Sequence, residues 1–192
     1  MTNRLLCKED FLERIGRLAK ARPKGIILRE KDLSASEYGS LAKAVLEICE
    51  RCGTQCILHS FADIAIELGV TSLHLPLPLL RELPPSKRSS FTTLGASCHS
   101  AEEAAEAEAL GCTYITAGHV FDTDCKKGLA GRGLDFLKQV CESVSLPVYA
   151  IGGIGAENAA RAINAGANGV CVMSGAMACD DPREYLEKFK VI

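Results

Sequence analysis

Short apolar runs rich in Val, Ile and Leu alternate along the chain with longer segments whose apolar residues recur at helical spacing. The short runs predict eight strands, at 5–7, 25–31, 56–60, 72–76, 93–97, 114–121, 148–154 and 169–174. The longer segments predict amphipathic helices at 9–21, 35–51, 61–68, 101–110, 133–143, 156–165 and 182–189. The weakest helix is expected within 77–92, which holds three prolines. This alternation is typical of βαβ units in a parallel sheet.

Eight strand–helix units in 192 residues predict a single α/β domain over residues 1–192, a compact (β/α)8 barrel of the TIM type. The usual barrel has about 250 residues, so the loops are expected to be short. An open, flavodoxin-like sheet of five or six strands is the structural alternative. In a barrel, chemistry takes place where strands end, so residues at the carboxyl ends of the strands are the first candidates.

Composition and charge favour a small-molecule partner. The formal net charge is -2 and charges of both signs are interspersed, so neither a nucleic acid nor a membrane is expected as a partner. The sequence shows no signal-peptide pattern and no apolar run of about 20 residues, and a cytoplasmic location is therefore expected. Ten cysteines are present, but Cys49-x-x-Cys52 lacks a second pair, so no metal site is expected.

Glycine-containing turns end the seventh and eighth predicted strands. Gly152-Gly153 follows one and Ser174-Gly175 the other. Glycines there let backbone N–H groups approach an anion, and the loops after strands seven and eight of a barrel commonly hold phosphate. The two turns together predict a phosphate cradle. A Gly-Gly pair by itself is equally consistent with an ordinary tight turn.

Two cations end the second predicted strand. A period of two places Ile27, Arg29 and Lys31 on one face and Glu30 on the other. Arg29 and Lys31 would suit a carboxylate or a phosphate. The alternative is a structural ion pair with Glu30 or with a carboxylate of a neighbouring strand.

A polar, glycine-rich loop spans 118–133. His119 begins it, and an imidazole both accepts and donates a proton near neutral pH. Lys126 or Lys127 could contact an anionic end of the ligand. The alternative for His119 is a hydrogen-bonded core histidine, a reading that applies equally to His59 and His74.

Several segments carry a family resemblance over nearly the whole chain. They are LREK at 28–31, GASCHSAEEAAEAEALG at 95–111, AIGGI at 150–154 and GVCVMSG at 169–175. With them the chain resembles the thiamine phosphate synthase superfamily. The loop GHVFDTDCKKGLAGRG at 118–133 looks like that of the TenI-type thiazole tautomerases within it.

The resemblance implies a TIM barrel and an isomerase that converts a phosphorylated thiazole carboxylate to its aromatic tautomer. It implies His119 as the acid/base residue and Lys126 as a ligand-facing residue, with no cofactor and a homodimer as the assembly. It assigns the phosphate to Gly152, Gly153, Ser174 and Gly175. Arg29 and Lys31 are expected to face the anionic groups of the substrate.

The chain departs from the synthase pattern at three places, and we therefore rank synthase activity below tautomerase activity. Where synthases typically carry a Gln, an Asn-Asp pair and an acidic residue, this chain has Ile27, His59-Ser60 and the segment 76–79. Mg²⁺ needs hard carboxylate oxygens, and these positions supply none. The alternatives to the tautomerase are a thiamine phosphate synthase joining thiazole phosphate to the pyrimidine pyrophosphate, a non-catalytic regulator that binds thiazole phosphate, and another phosphate-handling barrel isomerase.

Overall fold

The computed structural model describes residues 1–123 and 128–189. They form two compact units. Unit 1 comprises Met1–Leu73 with the segment that begins at Met173, and unit 2 is His74–Val172. The single domain over residues 1–192 stays a prediction.

The described part of the chain contains seven strands. They are β1 (Ile26–Leu28), β2 (Cys56–His59), β3 (Ser72–Pro76), β4 (Thr93–Cys98), β5 (Tyr114–Gly118), β6 (Val148–Ile151) and β7 (Gly169–Cys171). Their order in the sheet is their order in the sequence, and β1–β2, β4–β5, β5–β6 and β6–β7 pair in parallel. An open doubly wound sheet reverses its strand order at a switch point, and this sheet does not. The barrel-type α/β fold is confirmed, and the flavodoxin-like alternative is excluded.

Every predicted helix is present. The helices are α1 (Phe11–Lys20), α2 (Ala35–Cys52), α3 (Ala62–Glu67), α4 (Leu77–Glu82), α5 (Pro85–Arg88), α6 (Ala101–Ala109), α7 (Gly133–Ser143), α8 (Ala156–Asn164), α9 (Ser174–Ala178) and α10 (Pro182–Glu187). The proline-rich segment forms the short helices α4 and α5, each with a proline in its first turn, where the missing N–H costs no helical hydrogen bond. None of the helices in the described ranges has the length and apolar character needed to cross a membrane.

The first predicted strand, at 5–7, is wrong. Arg4–Leu6 is a single turn of 3-10 helix, begun by the Asn3 side chain, which accepts a hydrogen bond from the backbone of Leu5 at 3.2 Å. The chain does run beside β1, but at Thr2, whose N–H donates to the carbonyl of Ile27 at 2.9 Å. The reason is tertiary: the buried Glu30 carboxylate accepts hydrogen bonds from the Thr2 hydroxyl at 2.6 Å and from the Arg4 N–H at 2.9 Å.

The central strands of unit 2 differ in character between their two faces. Side chains alternate along a strand, and the register pairs Gly95 with Tyr114 and Ser97 with Thr116. One face carries apolar residues that are at most 1% exposed: Leu94, Ala96, Ile115, Ala117 and Ala150. The other face carries Tyr114, Thr116 and Ser97, and this polar face borders the strand ends where function is expected.

Candidate functional site

The carboxyl ends of β4, β5 and β6 lie side by side in unit 2. The register pairs Cys98 with Ala117, and Gly118 with Ile151. The segments that leave these three ends therefore start next to each other. They carry His99, His119 and the Gly152-Gly153 turn, and together they form the candidate site of unit 2.

The Gly152-Gly153 turn has no room for side chains. Both residues have positive φ, +96° and +65°, which glycine adopts without strain. A Cβ on Gly152 would overlap His119, and one on Gly153 would overlap the backbone of Phe121 and Asp122. The Phe121 N–H donates to the Gly152 carbonyl at 3.0 Å, which fixes the turn against the 119–122 segment. These glycines are therefore required by close packing as well as by conformation.

Sequence reasoning missed Asn158, which holds this turn. Its amide donates to the Gly153 carbonyl at 2.8 Å, and its side-chain oxygen accepts from the Gly155 N–H at 2.9 Å. Within residues 1–123 and 128–189, the Gly153 and Ile154 N–H groups have no acceptor. They stand just before α8, whose N-terminus favours an anion. Part of the signal was available, because Gly155, the N-cap residue of α8, is of a type favoured at that position.

His119 is tied to its own loop. Its Nε2 lies 2.9 Å from the Ala130 carbonyl oxygen and 3.3 Å from that of Leu129. A carbonyl only accepts, so Nε2 carries the hydrogen and Nδ1 is the acceptor in the neutral ring. The Arg132 N–H also donates to the His119 carbonyl, at 3.0 Å. The imidazole thus holds the two arms of the loop together. Lys126, also predicted to face the ligand, lies outside the described residues.

His99 is a second histidine at this edge. It follows β4, and its Nδ1 donates to the Gly118 carbonyl at 2.7 Å, while its backbone N–H donates to Glu103 at 2.6 Å. The structure thus links His99 to Gly118, the residue that precedes His119.

In unit 1, Arg29 and Lys31 follow the end of β1 rather than lying within a strand. Arg29 is half-buried and Lys31 is exposed. The structure shows a different partner for the Glu30 carboxylate within the described residues. This carboxylate pairs with Arg4, which also forms a bidentate pair with Asp32 at 2.6 Å.

Ser174 and Gly175 are the first residues of α9 in unit 1. Ser174 is exposed. A Cβ on Gly175 would overlap the ring of Tyr185 in α10, so close packing of α9 on α10 by itself requires this glycine. Their phosphate-binding role therefore stays a prediction.

The residues at the ends of β2 and β3 do not fit Mg²⁺. At the end of β2 the Ser60 hydroxyl and His59 Nδ1 lie 2.7 Å apart and hydrogen-bond to each other. Pro76 ends β3, and α4 begins at once with Leu77. Across residues 1–123 and 128–189 no three His, Cys, Asp or Glu side chains are grouped so that they could hold a metal. Carboxylate oxygens, the ligands Mg²⁺ prefers, are missing at these strand ends.

A family model described as thiamine monophosphate synthase matches residues 1–176. The chain belongs to the thiamine monophosphate synthase family. A thiamine-phosphate synthase of Pyrococcus abyssi is 32% identical over 172 residues, which cover 87% of this chain and 81% of the relative. One from Desulfitobacterium hafniense strain Y51 is 35% identical over 190 residues, 95% of this chain and 89% of the relative.

A solved structure of thiamine phosphate pyrophosphorylase from Pyrococcus furiosus superposes with a TM-score of 0.85. It is 28% identical and covers 99% of this chain and 91% of its own. Membership of the thiamine monophosphate synthase family thus rests on the whole chain rather than on one loop.

These relatives correct the predicted branch of the family. The superfamily resemblance is confirmed, but the thiazole tautomerase, and with it the isomerase, is wrong, since the relatives are named thiamine-phosphate synthases. The prediction depended on the 118–133 loop and on His119 as a proton-transfer group. In the structure the Nε2 hydrogen of His119 bonds two loop carbonyls, and an acid/base role for this residue stays a prediction.

Proposed function

We propose that this protein is a thiamine-phosphate synthase, which joins thiazole phosphate to the pyrimidine of a pyrimidine pyrophosphate and releases pyrophosphate. The observation that carries the proposal is the similarity to a curated synthase along 95% of the chain. Both substrates are phosphorylated small molecules, in keeping with a chain whose charges are interspersed rather than gathered on one face.

The Gly152-Gly153 turn is the proposed phosphate-binding element of unit 2. The proposal is supported by the Gly153 and Ile154 N–H groups, which have no acceptor among the described residues. Asn158 holds the turn that carries them, directly before α8. Backbone donors fixed in this way bind a phosphate without having to reorganise. Ser174, Gly175 and Lys126 remain proposed ligand contacts.

Arg29 and Lys31 are the proposed partners of the pyrophosphate in unit 1. The departing pyrophosphate carries negative charge, which fixed cations stabilise. Arg29 offers a fork for two phosphoryl oxygens and Lys31 a point charge. Because the residues at the ends of β2 and β3 do not fit Mg²⁺, no step here is assigned to a metal.

The test is formation of thiamine phosphate by the purified protein from the two substrates, measured by chromatography, in parallel with Mg²⁺ and with EDTA. Product that depends on the protein is the expected result. Arg29→Ala should lower the rate because it removes a cation from the pyrophosphate. Absence of product under both conditions would contradict the proposed activity.

A second candidate is a non-catalytic protein that binds thiazole phosphate. The observation that favours it is the lack of carboxylates at the ends of β2 and β3. Calorimetric binding of thiazole phosphate without formation of product would support this candidate. The homodimer implied by the resemblance is also a proposal, and light scattering of the purified protein tests it.

A further inference from the structure

The first residues of the chain lie against the end of β1 in unit 1. Thr2 is 1% exposed and contacts this strand end three times. Its N–H donates to the Ile27 carbonyl and its side-chain oxygen accepts from the Arg29 N–H, both at 2.9 Å. Its hydroxyl donates to the Glu30 carboxylate at 2.6 Å. Thr2 thus holds both the backbone and a side chain of the segment that follows β1.

The direction of the two side-chain hydrogen bonds of Thr2 is fixed by the groups that make them. A backbone N–H only donates, so the Thr2 oxygen is the acceptor for Arg29. The Glu30 carboxylate, which is ion-paired with Arg4, only accepts, so the Thr2 hydroxyl hydrogen is directed to Glu30. The hydroxyl therefore connects the Arg29 backbone to a carboxylate in the core.

Arg4 holds the same segment from a second point. Its backbone N–H donates to Glu30 at 2.9 Å, and its guanidinium forms the bidentate pair with Asp32. We call residues 2–4 the N-terminal clamp. The segment 29–32 lies beyond Leu28, the last residue of β1, and the clamp supplies hydrogen bonds there in place of the strand ladder.

The clamp acts directly at a residue proposed to bind the pyrophosphate. Glu30 is 3% exposed, whereas Arg29 before it is half-buried and Lys31 after it is exposed. With the Glu30 side chain held in the core, the two cations on either side of it are left just past the carboxyl end of β1. A long side chain loses rotamer freedom when it binds a ligand, and a backbone that is already fixed leaves less to be ordered.

We propose that Thr2 and Glu30 are positioning residues, which hold the Arg29 backbone so that its guanidinium is preorganised for a pyrophosphate oxygen. The nature of the ligand rests on the proposed function, whereas the fixed backbone rests on the hydrogen bonds of the clamp. Arg29 is the residue that contacts the anion, and Thr2 and Glu30 act through it.

The first test is binding of inorganic pyrophosphate to the intact protein, measured by calorimetry in parallel with Mg²⁺ and with EDTA. Thr2→Val keeps the shape of the side chain but removes the hydroxyl, and it should weaken binding by about threefold to tenfold, the cost of ordering one long side chain. Thr2→Ser keeps the hydroxyl and should restore most of this loss. Unchanged affinity in Thr2→Val, or an equal loss in Thr2→Ser, would overturn the proposal. Lack of pyrophosphate binding by the unaltered protein under both conditions would also overturn it.

A double-mutant cycle tests whether Thr2 acts through Arg29. Arg29→Ala should weaken pyrophosphate binding by itself. Adding Thr2→Val to it should cost little more affinity, because the guanidinium that Thr2 positions is already gone. Losses of affinity that multiply in the double variant would mean that Thr2 contributes independently of Arg29, and would contradict positioning.

The matched control is Thr54→Val. Thr54 is another buried threonine of unit 1, 6% exposed, whose hydroxyl donates to the Ala19 carbonyl at 2.8 Å. This variant also loses a buried hydroxyl but leaves the clamp intact, so it should bind pyrophosphate as the unaltered protein does. Equal weakening by Thr54→Val would mean that general destabilisation causes the effect, and the positioning role would be wrong.

A further measurement reads the backbone directly and needs no ligand. Hydrogen exchange of the Arg29 N–H, followed by NMR, should be about tenfold faster in Thr2→Val than in the unaltered protein, because the acceptor of this N–H is gone. The His59 N–H, which donates to the Tyr38 hydroxyl at 2.9 Å, should exchange alike in both proteins. Equal exchange of the Arg29 N–H in the two proteins would overturn the proposal. None of these tests involves turnover, so failure to form thiamine phosphate would contradict the proposed function and leave this result standing.

Discussion

At the scale of single residues, the candidate site depends most on Gly152. Its φ of +96° and its contact with His119 leave no place for a Cβ, and Asn158 fixes the turn from the other side. Gly111, in the same unit, also has a positive φ, +91°, but nothing lies within 4 Å of a Cβ placed there. Substituting each of the two glycines therefore distinguishes the free-energy cost of a positive φ from the cost of a close contact.

Gly152→Ala should lower the free energy of unfolding more than Gly111→Ala does. The positive φ costs each variant about 1–2 kcal/mol, and the contact with His119 adds about 1–3 kcal/mol in Gly152→Ala alone. Urea unfolding measures both values. Because the turn is the proposed phosphate-binding element, Gly152→Ala should also weaken thiazole phosphate binding, while Gly111→Ala should not. Equal loss of stability in the two variants would show that the turn can relax away from His119.

At the scale of elements, α2 shows a helix start that the sequence specifies completely. Ser34 and Glu37 form a capping box: the Ser34 N–H donates to the Glu37 carboxylate at 2.9 Å, and the Glu37 N–H donates to the Ser34 hydroxyl at 3.4 Å. The helix ends at Gly53, which has the left-handed conformation typical of this position. Both signals are local, which is why the predicted and observed bounds of α2 agree so closely.

Ser34→Ala should destabilise the protein by about 1 kcal/mol at neutral pH. Hydrogen bonds from Ser34 lower the pKa of Glu37, so the capping contribution is present above the ordinary pKa of a glutamate, 4.5, and is lost as the pH falls through the lowered value. The difference between Ser34→Ala and the unaltered protein in urea unfolding should therefore be smaller at pH 3 than at pH 7. Ser36→Ala, two residues later on the exposed side of α2, serves as the control and should not lower stability. A difference that does not change with pH would rule out a contribution from the Glu37 carboxylate.

The 118–133 loop shows what reasoning at the element scale does not reach. Its sequence indicated the tautomerase branch of the family, which the names of the relatives contradict, and an acid/base role for His119, which stays a prediction. In the structure His119 Nε2 donates to the Ala130 carbonyl, and the Asp122 carboxylate accepts from the Gly131 N–H at 2.6 Å. Both contacts join residues about ten positions apart, which no local pattern specifies.

At the scale of the whole molecule, stability in mild acid should depend on His74. In the fold its pKa is about 3, because burial disfavours the charged ring, against an ordinary value of 6.5. His74 therefore binds a proton below about pH 6.5 in the unfolded chain, but only below about pH 3 in the folded protein. The contribution of His74 to stability is present above this window and is lost as the pH falls through it.

Over this window His74 should add about 1.4 kcal/mol per pH unit to the slope of the free energy of unfolding. His74→Gln, which cannot titrate, should remove this part of the slope and leave the slope above pH 7 unchanged. Urea unfolding between pH 4 and 8 measures it. Identical slopes for the two proteins would show that His74 titrates alike in the folded and unfolded states.

The sequence by itself determined the α/β class, the helices and the places of the seven strands, although β1, β5, β6 and β7 each end three residues earlier than predicted. Hydrophobic periodicity, caps and turn glycines act within a few residues, so each of these can be inferred from its own segment. Only the tertiary structure decided what those residues contact. Thr2 and Arg4 donate hydrogen bonds to the buried Glu30 carboxylate, and the expected strand at 5–7 is a helical turn as a result. His74 lies between Tyr114 and Ser97 and hydrogen-bonds to both. These partners are distant in the chain, and burial makes their pairing obligatory because an unpaired polar group in the core costs free energy that no local pattern reveals.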